Sequence, residues 1–364
     1  MRNRRALVPR LRRARRRSRR LLAAPLTALL GTSLAVVAAP PSVAATTAPA
    51  ARGVTDRPAA TAQAAGTPQD AGTWRIRPDI LPTLRRDLVA FYDFEHPVPG
   101  DPGQERDLGS SGTNIDLVNG GGAMRVRDAA YPSSRMSLQT RQQSPTLAGN
   151  DDWKAGVFST TGVSTLHAFN AAKQISIMGW FKTTGQNPNL NTTTPDPGDL
   201  FNAVGLAGVL SGNSQGHDVR ALLEVINVSN VLRVVALGRR VDGSASLTFA
   251  ANEDWQTILP RDQWVFLAAT FDFDNATMAL YKNGRPLDGF YTVTGDPWGV
   301  AGEPEPDLAS ATDPTGIKIG GSFPQNTEER NPCNCRFDGL MFLDRVVTPR
   351  EVLGQYLWTI NHPG

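Results

Sequence analysis

From residue 87 onward the apolar positions recur in short runs with a period near two. No long stretch there carries the 3.6-residue period of an amphipathic helix. Leu88-Val89-Ala90-Phe91-Tyr92-Asp93-Phe94 predicts a first strand, ended by His96-Pro97 and a loop of Pro and Gly. Gln174–Lys182 alternates cleanly, assigning Ile175, Ile177 and Gly179 to one face and Ser176, Met178 and Trp180 to the other. Arg220–Val228 and Val231–Arg239 flank Ser229-Asn230 and predict a hairpin. Trp264–Phe273 and Thr277–Lys282 predict another around Asp274-Asn275, and Asn283-Gly284 then turns the chain into Arg285-Pro286-Leu287. Ile317–Gly320 and Leu340–Val346 supply late strands. Thr348-Pro349-Arg350-Glu351 opens a short helix, with Thr348 as N-cap, Pro349 at the first position and Glu351 closing a capping box. The expected fold is all-β, a two-sheet antiparallel β-sandwich with a short C-terminal helix.

Ahead of this body, Arg2 to Arg20 is densely cationic, and Leu21 to Pro40 carries no charge. Pro25 interrupts the apolar run early, leaving Leu26–Ala39 as its hydrophobic segment. Ser42-Val43-Ala44 and Ala48-Pro49-Ala50 offer small-residue cleavage points. That order predicts a secretory signal peptide over residues 1–44, and hence a secreted, extracellular protein. Ser18-Arg19-Arg20-Leu21-Leu22 also resembles a twin-arginine signal, so Sec and twin-arginine export both stay open. An uncleaved anchor is the competing reading. The run is rich in Ala and short of a firm span of about 20 residues, so no integral membrane span is expected after cleavage. Residues 45–86 read as a flexible Ala/Thr/Pro-rich linker and lead-in, and residues 87–362 as one domain.

Charge changes meaning once the leader is set apart. The whole chain has 37 basic and 34 acidic residues, a formal net charge of +3. Eleven Arg and no acid lie within residues 1–44, so the secreted part holds 26 basic against 34 acidic residues. A phosphate-neutralising surface is therefore not expected, and nucleic acid is excluded as a partner. Secretion permits a disulfide between the two cysteines, Cys333 and Cys335. Only two residues apart, they can meet only if Asn334 sits in a tight turn.

At this point the sequence resembles a family. Leu88–Glu95 followed by Asp107 and Ser111-Gly112-Thr113-Asn114 resembles the opening of the laminin-G-like jelly roll, in the concanavalin A-like lectin/glucanase superfamily. Gln174–Phe181 is similar to the family's Phe-Thr-Ile-Ser-Ala-Trp-Val strand. Trp264–Thr270 with Leu280-Tyr281-Lys282-Asn283-Gly284 resembles its Trp-x-His-Val-Ala-Val-Thr strand and following hairpin. Phe337-Asp338-Gly339 and Asp344–Thr348 resemble its closing strand and tail. The match runs from about residue 87 to 358, with long inserts at Gln186–Asp199 and Asp296–Pro314. The resemblance implies a jelly-roll topology and, for some members, a structural Ca²⁺ near the first strand's loop. Glu95, Asp107 and Asn114 match those loop positions, with Asp107 closing an Asx-turn as the alternative. Met341-Phe342 stands where many members place a further acidic ligand. No other cofactor is required.

Catalytic residues are not expected. Retaining glycanases need two carboxylates about 5–5.5 Å apart, which a strand supplies as alternating acids. Glu303-Pro304-Glu305-Pro306-Asp307 carries two prolines, and Phe271-Asp272-Phe273-Asp274 runs into a turn. Gly212-Asn213-Ser214-Gln215-Gly216 spells G-x-S-x-G, but a predicted strand follows it rather than the helix a nucleophile elbow requires. Aromatic residues offer more, because a pyranose ring stacks its C–H face on a π surface. Trp180 and Trp264 lie within strand patterns and are expected in the core. Trp298, with Asp296 in the same loop, and Tyr291 are the candidate ligand-binding residues; Trp153 and Trp255 are weaker candidates. The leading expectation is a monomeric, non-catalytic module binding a carbohydrate or an extracellular protein through rim loops. A glycan-cleaving hydrolase, or an adhesion or structural protein without a small ligand, stands as the alternative.

Overall fold

The computed structural model describes residues 79–143, 151–188, 203–211, 219–239, 241, 246–275, 277–292, 313–321 and 331–361. The strands in chain order are β1 Leu88–Tyr92, β2 Pro97–Val98, β3 Asp101–Glu105, β4 Ile115–Val118, β5 Arg125–Val126 and β6 Ser137–Gln139. Next come β7 Lys154–Phe158, β8 Gln174–Thr183, β9 Ala203–Leu210, β10 Ala221–Val228, β11 Val231–Arg239 and β12 Ser246–Ala251. The last are β13 Val265–Asp272, β14 Thr277–Lys282, β15 Arg285–Pro286, β16 Gly289–Tyr291, β17 Gly316–Ile319 and β18 Cys335–Leu343. Among the described residues three α-helices accompany them: α1 Ala168–Ala171, α2 Trp255–Ile258 and α3 Pro349–Asn361.

Two antiparallel sheets form a β-sandwich. The first has the order β15-β14-β13-β8-β18-β6-β5, with β1 paired to β18. The second runs β16-β12-β11-β10-β9-β17-β7-β4-β3-β2. Alternation decides which side chains lie between them. Ile175 and Ile177 of β8 join Leu223 and Val225 of β10 in the inter-sheet core, and Met178 and Trp180 point to the other side of their sheet. There α3 covers them with Val352 and Tyr356, and Trp180 meets Tyr356 at 5.7 Å between ring centroids. The far side of the ten-stranded sheet carries a separate buried cluster of Leu222, Ile226, Val235 and Leu237.

Local chemistry explains the joints. Ser229 and Asn230 both adopt positive φ, 52° and 67°, so the β10–β11 hairpin closes on the turn that matches strand twist. The helix start is the expected reciprocal box: Thr348 N donates to Glu351 Oε2 at 2.9 Å, and Glu351 N donates to Thr348 Oγ1 at 3.3 Å.

Three expectations need correction. The lead-in is not all linker: Ile80 and Leu84 are fully buried against the sheet face under α3, so the packed body begins before residue 87. Trp264 is only partly buried. Its indole donates to Asp128 at 3.3 Å and Lys182 lies over its ring at 5.4 Å, so it borders the core. The closing strand starts at Cys335 and bends at a bulge between Asp338 and Met341, where Gly339 takes φ +56°. Among the described residues, no helix is long and apolar enough to cross a membrane.

Candidate functional site

Two places on the rim gather the chemistry. The first follows β1. Phe94, at φ 61°, turns the chain sharply, so Asp93, Glu95 and His96 project together from a tight loop. Asp93 Oδ1 accepts from Glu95 N at 3.1 Å and lies 2.9 Å from His96 Nδ1, a contact that raises the imidazole above its ordinary pKa. Glu105 at the end of β3 completes a group whose ligand atoms lie within 4.8 Å of one another. Its oxygens are already engaged, however. Oε1 accepts from His96 N at 2.9 Å, and Oε2 takes Arg125 Nε at 2.9 Å and Nη2 at 2.5 Å. Burial raises the Glu105 pKa, and the Arg125 guanidinium opposes that shift.

The residues matched to family calcium positions divide here. Asp107 is buried and accepts four hydrogen bonds. Phe91 N (2.8 Å) and Gly109 N (2.5 Å) reach Oδ1, while Ser111 Oγ (2.6 Å) and Thr113 N (3.1 Å) reach Oδ2. Asn114 Oδ1 accepts from the Asp107 amide at 3.3 Å. The Asp107 oxygens thus fasten the loop to β1 through these four bonds, and Asn114 Oδ1 carries one. Desolvation holds the Asp107 pKa up against those hydrogen bonds. Glu95 reaches the segment after Tyr131, where Oε1 accepts from Arg135 N, Met136 N and Ser134 Oγ.

Sequence reasoning passed over Asp338, although its Phe-Asp-Gly setting just before a bulge glycine was readable. Asp338 lies in β18 opposite Trp180 and is fully buried. Oδ2 accepts from Ala130 N at 3.0 Å and Ser134 Oγ at 2.7 Å, and Oδ1 has no hydrogen-bond partner among the described residues. Burial pushes its pKa well above the usual carboxylate range, with Asp93 and Glu95 adding repulsion.

The second place is the β16 end of the ten-stranded sheet, its edge among the described residues. β16 pairs with β12 through Phe249↔Tyr291 and Ala250↔Phe290. Phe290 and Tyr291 are 39% and 40% exposed, the most open large aromatics among the described residues. Phe290 shares a face with Val231 and Arg233, whose guanidinium lies 5.3 Å from the ring centroid. Arg233 Nη1 donates to Ala251 O and Asn252 O, and its shielded Nε has no partner among the described residues. Tyr291 packs edge-on against Phe249 at 5.3 Å and exchanges hydrogen bonds with Met278 N and O.

The remaining candidates are placed as follows. Trp298 and Asp296 lie outside the described residues, as does the G-x-S-x-G segment. Cys333 and Cys335 are both buried and joined by a disulfide, with Cα atoms 5.2 Å apart. Asn334 between them is held on both sides: its N donates to Asn187 Oδ1 at 3.0 Å, and its Oδ1 accepts from Gln142 N at 3.0 Å. Trp255 is buried at the start of α2, and Trp153 is partly buried with Arg141 5.0 Å over its ring.

No family model and no curated protein matches the chain. Solved structures similar to it include a Trypanosoma rangeli sialidase, with a TM-score of 0.43 and 12% identity over 75% of this chain and 33% of that one. The binding domain of botulinum neurotoxin DC in complex with rat synaptotagmin II has a TM-score of 0.45 and 9% identity over 75% and 52%. The receptor-binding domain of botulinum neurotoxin type G gives 0.41 and 11% over 74% and 51%. The chain thus spans a third to about half of these proteins.

Proposed function

We propose that the chain is a secreted, non-catalytic binding module of the laminin-G-like jelly-roll kind, and that it recognises a carbohydrate or an extracellular protein on its rim at β16. The observation that carries this reading is that β16, with one strand partner among the described residues, exposes an aromatic on each face: Phe290 beside Arg233 on the outer side and Tyr291 on the inner side. Each part suits a sugar. The ring faces offer apolar surface to pyranose C–H groups, and the guanidinium offers donors to hydroxyl or carboxylate oxygens. The middle of the ten-stranded sheet's outer face offers no open surface, because Leu222, Ile226, Val235 and Leu237 on it are buried, and only its β16 end, with Phe290, is exposed. Binding is therefore assigned to the edge, where Tyr291 is held by Phe249 and Met278 and loses little freedom when a ligand arrives.

A screen of the secreted protein against a glycan array and a panel of extracellular proteins tests the reading. The expected result is a selective ligand whose signal falls for Tyr291→Ala. An array and panel with no selective ligand would overturn it. Glycan cleavage is the second reading, and one observation favours it: carboxylate oxygens of Asp93 and Glu105 lie within 4.8 Å of each other. Release of reducing sugar by the wild type, abolished in Glu105→Gln, would establish that reading.

A further inference from the structure

The cation at the β16 edge is only partly used. Arg233 Nη1 donates to Ala251 O at 2.9 Å and to Asn252 O at 2.8 Å, which occupies both of its protons and fixes the guanidinium against the end of β12. The opposite side of the group is empty. Nε is shielded from solvent and has no hydrogen-bond partner among the described residues. Nη2 likewise makes no hydrogen bond there, and no carboxylate among those residues forms an ion pair with the group. A shielded donor left unpaired is costly, and a guanidinium fixed on one side presents Nε and Nη2 together as a two-donor fork. Apolar surface adjoins the fork. On the same outer face of the sheet Val231 and Phe290 are each 39% exposed, and the Phe290 ring centroid lies 5.3 Å from Arg233 Cζ.

We infer that the ligand held at β16 is an acidic sugar, a hexuronate whose carboxylate pairs with Arg233 while its ring packs beside Phe290. This rests on the reading of β16 as the binding edge and narrows it to one class of ligand. A carboxylate supplies the two coplanar oxygens that a guanidinium fork takes bidentately. In a hexuronate that group is attached directly to a ring carbon, so one residue meets the cation with its carboxylate and the aromatic with its C–H face. An acidic side chain of a protein brings the carboxylate without an apolar ring face beside it. A neutral sugar brings the face without the charge. The attraction is local: beyond residue 44 the chain holds 26 basic against 34 acidic residues, so Arg233 acts by contact rather than as part of a broad basic surface.

The test titrates the full secreted chain with oligosaccharides of glucuronate, galacturonate and mannuronate, and with the methyl ester of each, which keeps the ring and removes the charge. The expected result is that at least one acid binds and that its ester binds about tenfold more weakly or worse, with the Arg233 Nε–H resonance shifting on addition of the acid alone. Arg233→Lys keeps the charge and loses the fork, so it should weaken the acid by about tenfold while leaving the ester unchanged. Should that variant fail to fold, the comparison of acid with ester on the wild type decides. Esters that bind as well as their acids, or undiminished affinity in folded Arg233→Lys, would overturn the inference. A sulfated galactan bound as tightly as the best uronate would overturn the choice of carboxylate. A selective neutral ligand on the glycan array, with no uronate bound, would overturn this inference alone and leave β16 as the binding edge. No ligand of any kind on the array or the protein panel would remove the reading of β16 itself.

Discussion

Tyr291 and Phe249 meet edge-on at 5.3 Å across the β16–β12 ladder, fixing one face of the tyrosine while its ring stays 40% exposed. Its hydroxyl is anchored at Met278 N, 2.8 Å away in the facing sheet. Anchor and platform can therefore be separated. Tyr291→Phe removes the anchoring hydrogen bonds and should cost about 1 kcal/mol of stability while keeping most of the ligand affinity. A chemical denaturation curve and one binding isotherm on the same preparation check both parts.

Arg345 closes the helix end onto the sheet. It reaches Glu351 at 2.7 and 2.9 Å and Asp87 at 2.6 Å. Chiefly through the Arg345 hydrogen bond, the Glu351 pKa is lowered from 4.5 to about 2. A depressed carboxylate contributes stability that is complete above its unfolded pKa and is lost as pH falls through the folded one. The pair should thus stabilise fully above about pH 4.5 and fade toward pH 2. Glu351→Gln should cost about 1–2 kcal/mol at neutral pH, and the gap to wild type should close on acidification, as read by urea unfolding across that range.

Asp107 acts as a staple. Asn in its place keeps one acceptor oxygen and turns an amide toward two of the four donors. Asp107→Asn should therefore destabilise by about 2–4 kcal/mol, and Asp107→Ala by at least as much, in denaturant unfolding.

The two strand tryptophans should behave differently. Trp180 is 5% exposed and touches Tyr131, Phe266 and Tyr356, so Trp180→Ala should cost about 3–5 kcal/mol through the cavity it leaves. Trp264 is only partly buried, and its loss should cost about 1–2 kcal/mol. Equal melting temperatures for the two variants would contradict the placement of Trp264 at the margin.

Legibility followed the periodicity. Gln174–Thr183 alternates because one side faces the opposing sheet and the other faces α3, and each face was assigned as the structure has it. Ala203–Leu210 was missed because it is buried on both faces and reads as a run of small apolar residues without alternation. Tyr291 could be picked out as an aromatic, but the contact of Phe290 with Arg233 on the other face could not, since those two meet only when β11, β12 and β16 line up. The acidic cluster was visible in part. Glu95 and Asp107 stand in a recognisable loop, yet which of them has free oxygens depends on backbone amides that no spacing reveals. Asp338 joins Glu95 through a pairing across more than two hundred residues.

The edge-strand platform is tested most directly by titrating the ligand found on the array or panel into the wild type and into a Phe290→Ala/Tyr291→Ala double variant. Both rings are substantially exposed, so Tm should shift by only a few degrees, about 1–2 kcal/mol, while affinity falls by about tenfold or more. Undiminished affinity in a folded double variant would contradict the account and move the binding surface away from β16.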